Sequence, residues 1–261
     1  MEWTANGCRI HYTCSEQRDK KVLLLHGWGC TEAMMTPVAG ALQDSMQTMT
    51  LDFPGFGQSD QPPEPWDVPA YTKAVEELLE HEHFFPCSVI AHSFGARVAI
   101  CMAAHAGNRI ERMVLTGAAG LRKPQTEEGR KRAERFQEAK KAISLMRKTH
   151  LFGGIPDQLE ARFRQKYGSA DYNALGEEMR KTFVKVVNQD LQPMLSSIEC
   201  PVLLVFGDQD TETPLWMGRK MEKEIPDAGL AVFEGGTHFA YLEQLPRFNA
   251  VVRHFLLEMN V

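Results

Sequence analysis

The chain lacks long hydrophobic runs. Its apolar stretches are short, as in Val22-Leu23-Leu24-Leu25, against the roughly 18 residues that cross a bilayer. No membrane span is expected. The opening residues Met1-Glu2-Trp3-Thr4-Ala5 carry neither a basic nor an apolar stretch, so no secretory signal is expected there. An excess of one charge is also missing. Lys and Arg number 29 against 34 Asp and Glu, a net charge of −5, which excludes binding nucleic acid through bulk charge. There is no internal repeat and no low-complexity tract, and Gly (20) and Pro (14) are near ordinary abundance. Collagenous, disordered and coiled-coil chains are thereby excluded. Paired cysteine motifs are absent too. Cys8, Cys14, Cys30, Cys87, Cys101 and Cys200 form no C-x-x-C. A chain of 261 residues that is 43% hydrophobic buries a core without covalent staples. The six are therefore read as free thiols of a reducing, cytoplasmic protein, with Cys87 and Cys101 as small buried hydrophobes. Neither a metal-ligand cluster nor a dinucleotide fingerprint occurs, and no cofactor is expected.

What is present is an alternation. Strand-like runs at Arg9–Cys14, Val22–Leu25, Met46–Leu51, Pro86–Ala91 and Arg112–Thr116 are interleaved with helical patterns. The helices are expected from Thr31 to Leu42, over Ala70–His83 and over Phe94–Ala106, with Phe53–Pro69 as a Pro- and Gly-rich loop. The pattern resumes with strands Val202–Phe206 and Leu230–Phe233 and helices Pro214–Glu224 and Tyr241–Met259. Strands alternating with helices at this spacing imply βαβ units and a mostly parallel sheet. Residues 121–189 differ. They carry no strand signal and read as helices Thr126–Lys148, Asp157–Tyr167 and Tyr172–Asn188. Between Leu121 and Asp190, 16 Lys and Arg stand against 10 Asp and Glu, a balance of +6, which leaves −11 for the rest. The segment reads as a helical insertion, 121–189, into a core of 1–120 and 190–261.

The strongest chemical signal is Val89-Ile90-Ala91-His92-Ser93-Phe94-Gly95-Ala96. An apolar strand runs into Ser93 and a helix follows at once, with small Ala91 and Gly95 on either side. A sharp strand-to-helix turn needs such neighbours, and it exposes the Ser93 hydroxyl beside a helix N-terminus. The alternative is a serine N-cap at an ordinary junction. A serine hydroxyl needs a base. His238, in Gly235-Gly236-Thr237-His238-Phe239, follows a strand and lies at the same sheet edge. His11 falls in an early strand, and His81, His83, His105, His150 and His254 fall on helices or at their ends, where they are solvated. His92 is expected to pack beside the turn. The base needs an orienting carboxylate. Asp208 and Asp210 both follow the Val202–Phe206 strand. Asp210, deeper in the loop, is favoured, and Asp208 is expected to brace the turn. An oxyanion hole is expected from the backbone N–H of Phe94 and of Trp28 in His26-Gly27-Trp28-Gly29, with the Trp28 indole walling the pocket. Asp52 is expected to brace the loop that runs to Asp60.

These segments, taken in order, resemble the α/β-hydrolase superfamily over essentially the whole chain. The resemblance implies an α/β-hydrolase fold, with helices on both faces of the sheet and a helical cap at 121–189. It implies nucleophile Ser93, acid Asp210, base His238 and oxyanion N–H groups on Trp28 and Phe94. Ala91 departs from the usual first Gly of G-x-S-x-G, a change of one methyl. Ser93 at the nucleophile position disfavours members that use an Asp. The chain is most similar to small bacterial carboxylesterase-like members. Hydrolysis of a small-molecule ester through an acyl-enzyme is therefore expected. Two alternatives stand: carbon–carbon bond hydrolysis of a vinylogous diketone, and a catalytically silent binding protein on the same fold. Arg130, Lys131, Arg132, Arg135, Lys140, Lys141, Arg147 and Lys148 crowd one helical stretch. They read either as a solvated face paired with Glu134 and Glu138 or as a docking surface for an anionic substrate or an acidic carrier protein.

Overall fold

The computed structural model describes residues 1–123, 127–148 and 175–258. The chain divides into two compact units, Met1–Leu121 with Val184–Val261, and Arg122–Phe183. The expected helix Asp157–Tyr167, the starts at Thr126 and Tyr172, and His150 lie outside the described residues.

The first unit is an eight-stranded sheet of order β1-β2-β4-β3-β5-β6-β7-β8. The strands are β1 Glu2–Ala5, β2 Cys8–Cys14, β3 Lys21–Leu25, β4 Gln47–Leu51, β5 Cys87–His92, β6 Ile110–Thr116, β7 Val202–Gly207 and β8 Ala228–Phe233. The pairs β1/β2 and β2/β4 are antiparallel and all others are parallel. Strand β1 was not expected. Its signal is Asn6-Gly7, whose positive φ values of 46° and 75° suit a two-residue hairpin turn.

Side chains alternate faces along a strand, and each face is covered. Val22, Leu24, Ile90, Val114 and Val205 form one core with Met35, Val38, Tyr241, Phe248 and Val252. These helical partners come from helix α1 (Thr36–Gly40) with its preceding turn, and from α7 (Ala240–Glu243) and α8 (Leu245–Arg253). On the other face, a Cβ on Gly95 would sit 2.8 Å from the Leu25 Cβ, and one on Gly218 2.8 Å from the Phe206 ring. Helices α3 (Phe94–Ala106) and α6 (Leu215–Glu224) therefore lie on that side.

Three helices differ from expectation. The one expected from Thr31 to Leu42 is a 3₁₀ turn, Glu32–Met34, then the short α1, and Thr31 makes no side-chain cap bond. The carboxylate of Asp52 takes that place, accepting from the Glu32 N–H at 2.8 Å. Helix α2 spans Val68–His81, beginning inside the supposed loop because Asp67 caps it through the Ala70 N–H at 3.0 Å. Pro69 fits there, since the first turn needs no N–H from it. The expected Tyr241–Met259 helix is broken at Gln244, followed by Pro246 in the first turn of α8, and closes as a π turn over His254–Glu258. Pro246 has no N–H with which to continue the ladder of the preceding turn, which accounts for the break.

The described part of the second unit holds α4 (Glu127–Lys148) and the first turns of α5 (Glu177–Asn188), and no strand among its described residues. Among the described residues, no helix is long and apolar enough to cross a membrane.

Candidate active site

Strand β5 is buried at every position and delivers Ser93 to the carboxyl edge of the sheet. The Ser93 φ is 51°, a left-handed conformation that costs a non-glycine residue about 1–3 kcal/mol. Hydrogen bonds hold it there. The Ser93 N–H donates to the Thr116 carbonyl at 3.1 Å, and the Ser93 carbonyl accepts from Ala96 at 3.1 Å and Ala119 at 3.2 Å. Gly95 is required by space, because a Cβ there would lie 2.6 Å from the Leu25 carbonyl and 2.8 Å from that of His26. Its N–H donates to the His26 carbonyl at 3.1 Å. The Phe94 N–H lies between these two and belongs to the helix start, where N–H groups have no carbonyl within the helix.

His238 arrives from the loop after β8. Gly207 closes that loop against β7, since a Cβ on Gly207 would fall on the Gly236 carbonyl. His238 Nε2 lies 2.9 Å from Ser93 Oγ, and its Nδ1 lies 2.8 Å from Asp210 Oδ2. An ionised carboxylate only accepts, so Nδ1 carries the hydrogen and Nε2 is left as the acceptor facing the serine hydroxyl. Asp210 is 4% exposed. Its Oδ1 accepts the N–H groups of Glu212 at 2.8 Å and Thr213 at 2.9 Å, and its Oδ2 accepts the Thr213 hydroxyl at 2.7 Å. Burial pushes this carboxyl up, but hydrogen bonds from His238 and the Thr213 backbone outweigh it and hold it below the ordinary range. Asp208 stands apart, with Oδ1 accepting the Gly235 N–H at 2.8 Å, and so braces the two loops. Thr213 was missed in the sequence. Its signal is the spacing Asp210-x-x-Thr213, which suits a side chain folded back on its own turn.

The loop after β3 completes the neighbourhood. Trp28 packs edge to face with Phe94, ring centres 5.2 Å apart, and with Phe56 at 4.9 Å. His26 is buried beneath. Its Nε2 accepts the Phe53 N–H at 3.0 Å and its Nδ1 donates to the Gly27 carbonyl at 2.7 Å, so the ring is a neutral tautomer. Asp52 braces its loop as expected, with Oδ2 accepting the Gln58 N–H at 2.8 Å. His81, His83, His105 and His254 are exposed, as their helical positions suggested. None of the six cysteines is in a disulfide.

Two buried histidines make stability sensitive to acid. Desolvation lowers His26 from 6.5 to about 4, and desolvation with the neighbouring His238 lowers His92 to about 3. The unfolded chain takes up these protons first. The stabilisation is thus complete above pH 6.5 and is lost as pH falls towards 4 and then 3, by up to about 1.4 kcal/mol per pH unit for each histidine. The urea midpoint is expected to fall steadily between pH 7 and pH 4. A flat midpoint over that interval would contradict the assigned burial.

The arrangement joins a hydroxyl, an imidazole and a carboxylate in one hydrogen-bonded row, the geometry that suits nucleophilic attack assisted by a base. Comparison with known proteins agrees with this fold. Residues 22–251 match the model of the alpha/beta hydrolase family, and the chain belongs to that family. It is 28% identical over 253 residues to a pimeloyl-[acyl-carrier protein] methyl ester esterase of Neisseria meningitidis serogroup C, covering 91% of this chain and 93% of that one. It is 25% identical over 281 residues to a 2-hydroxy-6-oxononadienedioate/2-hydroxy-6-oxononatrienedioate hydrolase of Escherichia coli O139:H28, covering 98% and 93%. In three dimensions it resembles a hydrolase from Pseudomonas aeruginosa PA01, with a TM-score of 0.76, 24% identity and 98% of both chains covered. The protein is thus an enzyme, a hydrolase, and the reading as a silent binding protein is set aside.

Proposed function

We propose that this hydrolase cleaves a carboxylic ester of a small molecule through Ser93, His238 and Asp210. The observation that carries the proposal is the unbroken row from Ser93 Oγ through His238 to Asp210 Oδ2, at 2.9 and 2.8 Å. Ser93 Oγ attacks the ester carbonyl while His238 Nε2 takes its proton. The tetrahedral oxyanion is received by the backbone N–H groups of Phe94 and Trp28, and loss of one such donor costs about 3–4 kcal/mol. Collapse expels the alcohol, protonated by His238, and leaves an acyl-Ser93. Water, deprotonated by His238, then releases the acid and restores the serine. Asp210 stays ionised throughout and stabilises the imidazolium. We take residues 121–189 as the helical cap of this enzyme.

A second reading is hydrolysis of a carbon–carbon bond in a vinylogous diketone, supported by the name of the Escherichia coli relative. Parallel assays separate them: a p-nitrophenyl ester series of rising acyl length, and a coloured dienoate ring-fission product. Ester turnover exceeding dienoate turnover by orders of magnitude is the expected result, and the reverse ranking overturns the ester assignment.

The leaving group or acyl carrier is proposed to be anionic or protein-bound. Lys131, Arg135 and Lys141 of α4 are exposed, and the Neisseria relative is named for an ester on an acyl carrier protein. Salt screens such contacts. KM for an acyl-carrier-protein ester is expected to rise severalfold between 50 and 500 mM NaCl, while KM for a neutral p-nitrophenyl ester stays constant. An unchanged KM for both would leave α4 as a merely solvated face.

A further inference from the structure

His92 is a buried polar side chain that the proposed mechanism does not use. It is 1% exposed and precedes the nucleophile in the chain. Its Nε2 lies 3.0 Å from the main-chain carbonyl of His238. A carbonyl only accepts, so Nε2 carries the hydrogen, and a neutral ring then leaves Nδ1 as a bare acceptor. That Nδ1 is buried without a hydrogen-bond partner among the described residues. It faces Gly27, where a Cβ would come within 2.7 Å of it. The ring also packs against His238 at 4.8 Å, Phe239 at 5.1 Å and Tyr241 at 4.8 Å.

An apolar residue of similar size would fill this space without stranding Nδ1, a buried unsatisfied group that is destabilising, and would give up only the bond to the His238 carbonyl. Local rules broken at a cost in stability point to a role other than folding. What the imidazole provides, and an apolar residue cannot, is one N–H aimed at the backbone of His238. It joins the end of β5, one residue before Ser93, to the loop after β8 that carries His238. Burial keeps the ring neutral, with its titration lowered to about 3. The donor therefore persists across the working pH range and adds no positive charge beside a base that must itself become cationic.

We propose that His92 is a positioning residue for His238: its Nε2–H holds the His238 carbonyl so that the His238 ring keeps its contacts with Ser93 and Asp210 together. The proposal rests on the assignment of His238 as base. It gives the residue before the nucleophile a duty distinct from the turn itself.

The test compares His92→Met with His92→Gln, two unbranched side chains of like length that differ in the amide donor. Turnover of p-nitrophenyl butyrate and urea unfolding are measured for both, with Ser93→Ala alongside. His92→Met is expected to lower kcat about 10–100-fold, the scale of a small misplacement of a reacting group. KM should change less than twofold, and the urea midpoint should fall only slightly, because removing the bare Nδ1 offsets the loss of the bond to the His238 carbonyl. His92→Gln should recover most of the lost kcat. A kcat within twofold of the parent in His92→Met overturns the proposal. So does a loss of kcat in both variants that tracks a lowered urea midpoint, because the role is then structural. If Ser93→Ala retains turnover, it is the reading of Ser93 as nucleophile that fails. If Ser93→Ala is inactive while His92→Met is fully active, only the positioning role fails.

Discussion

Replacing Ser93 with alanine is expected to lower kcat for p-nitrophenyl butyrate by about 10⁴–10⁶-fold, the range seen when a serine nucleophile is removed. The hydroxyl is the only atom lost. Alanine at φ 51° pays the same backbone cost as serine, and the elbow is held by main-chain bonds to Thr116 and Ala119 that do not involve the side chain. The urea midpoint should therefore stay near the parent value. Residual turnover is expected only from the proposed oxyanion donors and from binding. A variant that keeps more than a tenth of the parent kcat would show that Ser93 is not the nucleophile. Labelling by a fluorophosphonate probe gives an independent reading, expected in the parent and absent in Ser93→Ala.

The second large effect is expected from Asp210→Asn, about 10⁴-fold in kcat. The reason lies in the partners of the two carboxylate oxygens. Oδ1 accepts two backbone N–H groups, from Glu212 and Thr213, so an asparagine must place its carbonyl oxygen there. Its NH₂ group then occupies the Oδ2 position, 2.8 Å from His238 Nδ1. The amide donates, Nδ1 must accept, and the ring's hydrogen moves to Nε2. That nitrogen then has no lone pair for the Ser93 proton. The fold is kept and the tautomer is wrong. Measuring kcat together with the ¹⁵N shifts of the His238 ring checks this, since the two tautomers differ in which nitrogen is protonated. Full activity, or an unchanged tautomer with kcat lost, would refute the tautomer argument.

Much of this architecture was legible in the sequence. The apolar runs at Val22–Leu25 and Val89–Ala91 announce strands buried on both faces, because a parallel sheet covered by helices leaves no polar side. The order Ser93, Asp210, His238 placed three groups in loops after strands β5, β7 and β8. What the sequence obscured were features decided by single side chains acting over short range. Asp67 starts α2 within a Pro-rich stretch, Pro246 breaks the last helix, and Asn6-Gly7 turns the hairpin that creates β1. Each overrides the hydrophobic periodicity from which the elements were read.

By itself the sequence determined the class of fold, the strand-to-helix turn at Ser93 and the set of loops from which a base and an acid had to come. These follow from local rules: the period of apolar residues fixes an element and its buried face, and small residues fix a sharp turn. The tertiary structure alone decided which loop residues touch. It put Asp210 on His238 and Asp208 on Gly235, brought the Thr213 hydroxyl to the same carboxylate oxygen, and joined His92 to a carbonyl 146 positions away. Periodicity says which way a side chain faces along its own strand, whereas contact between loops depends on strand order, register and loop path together, and those are set only when the whole sheet assembles.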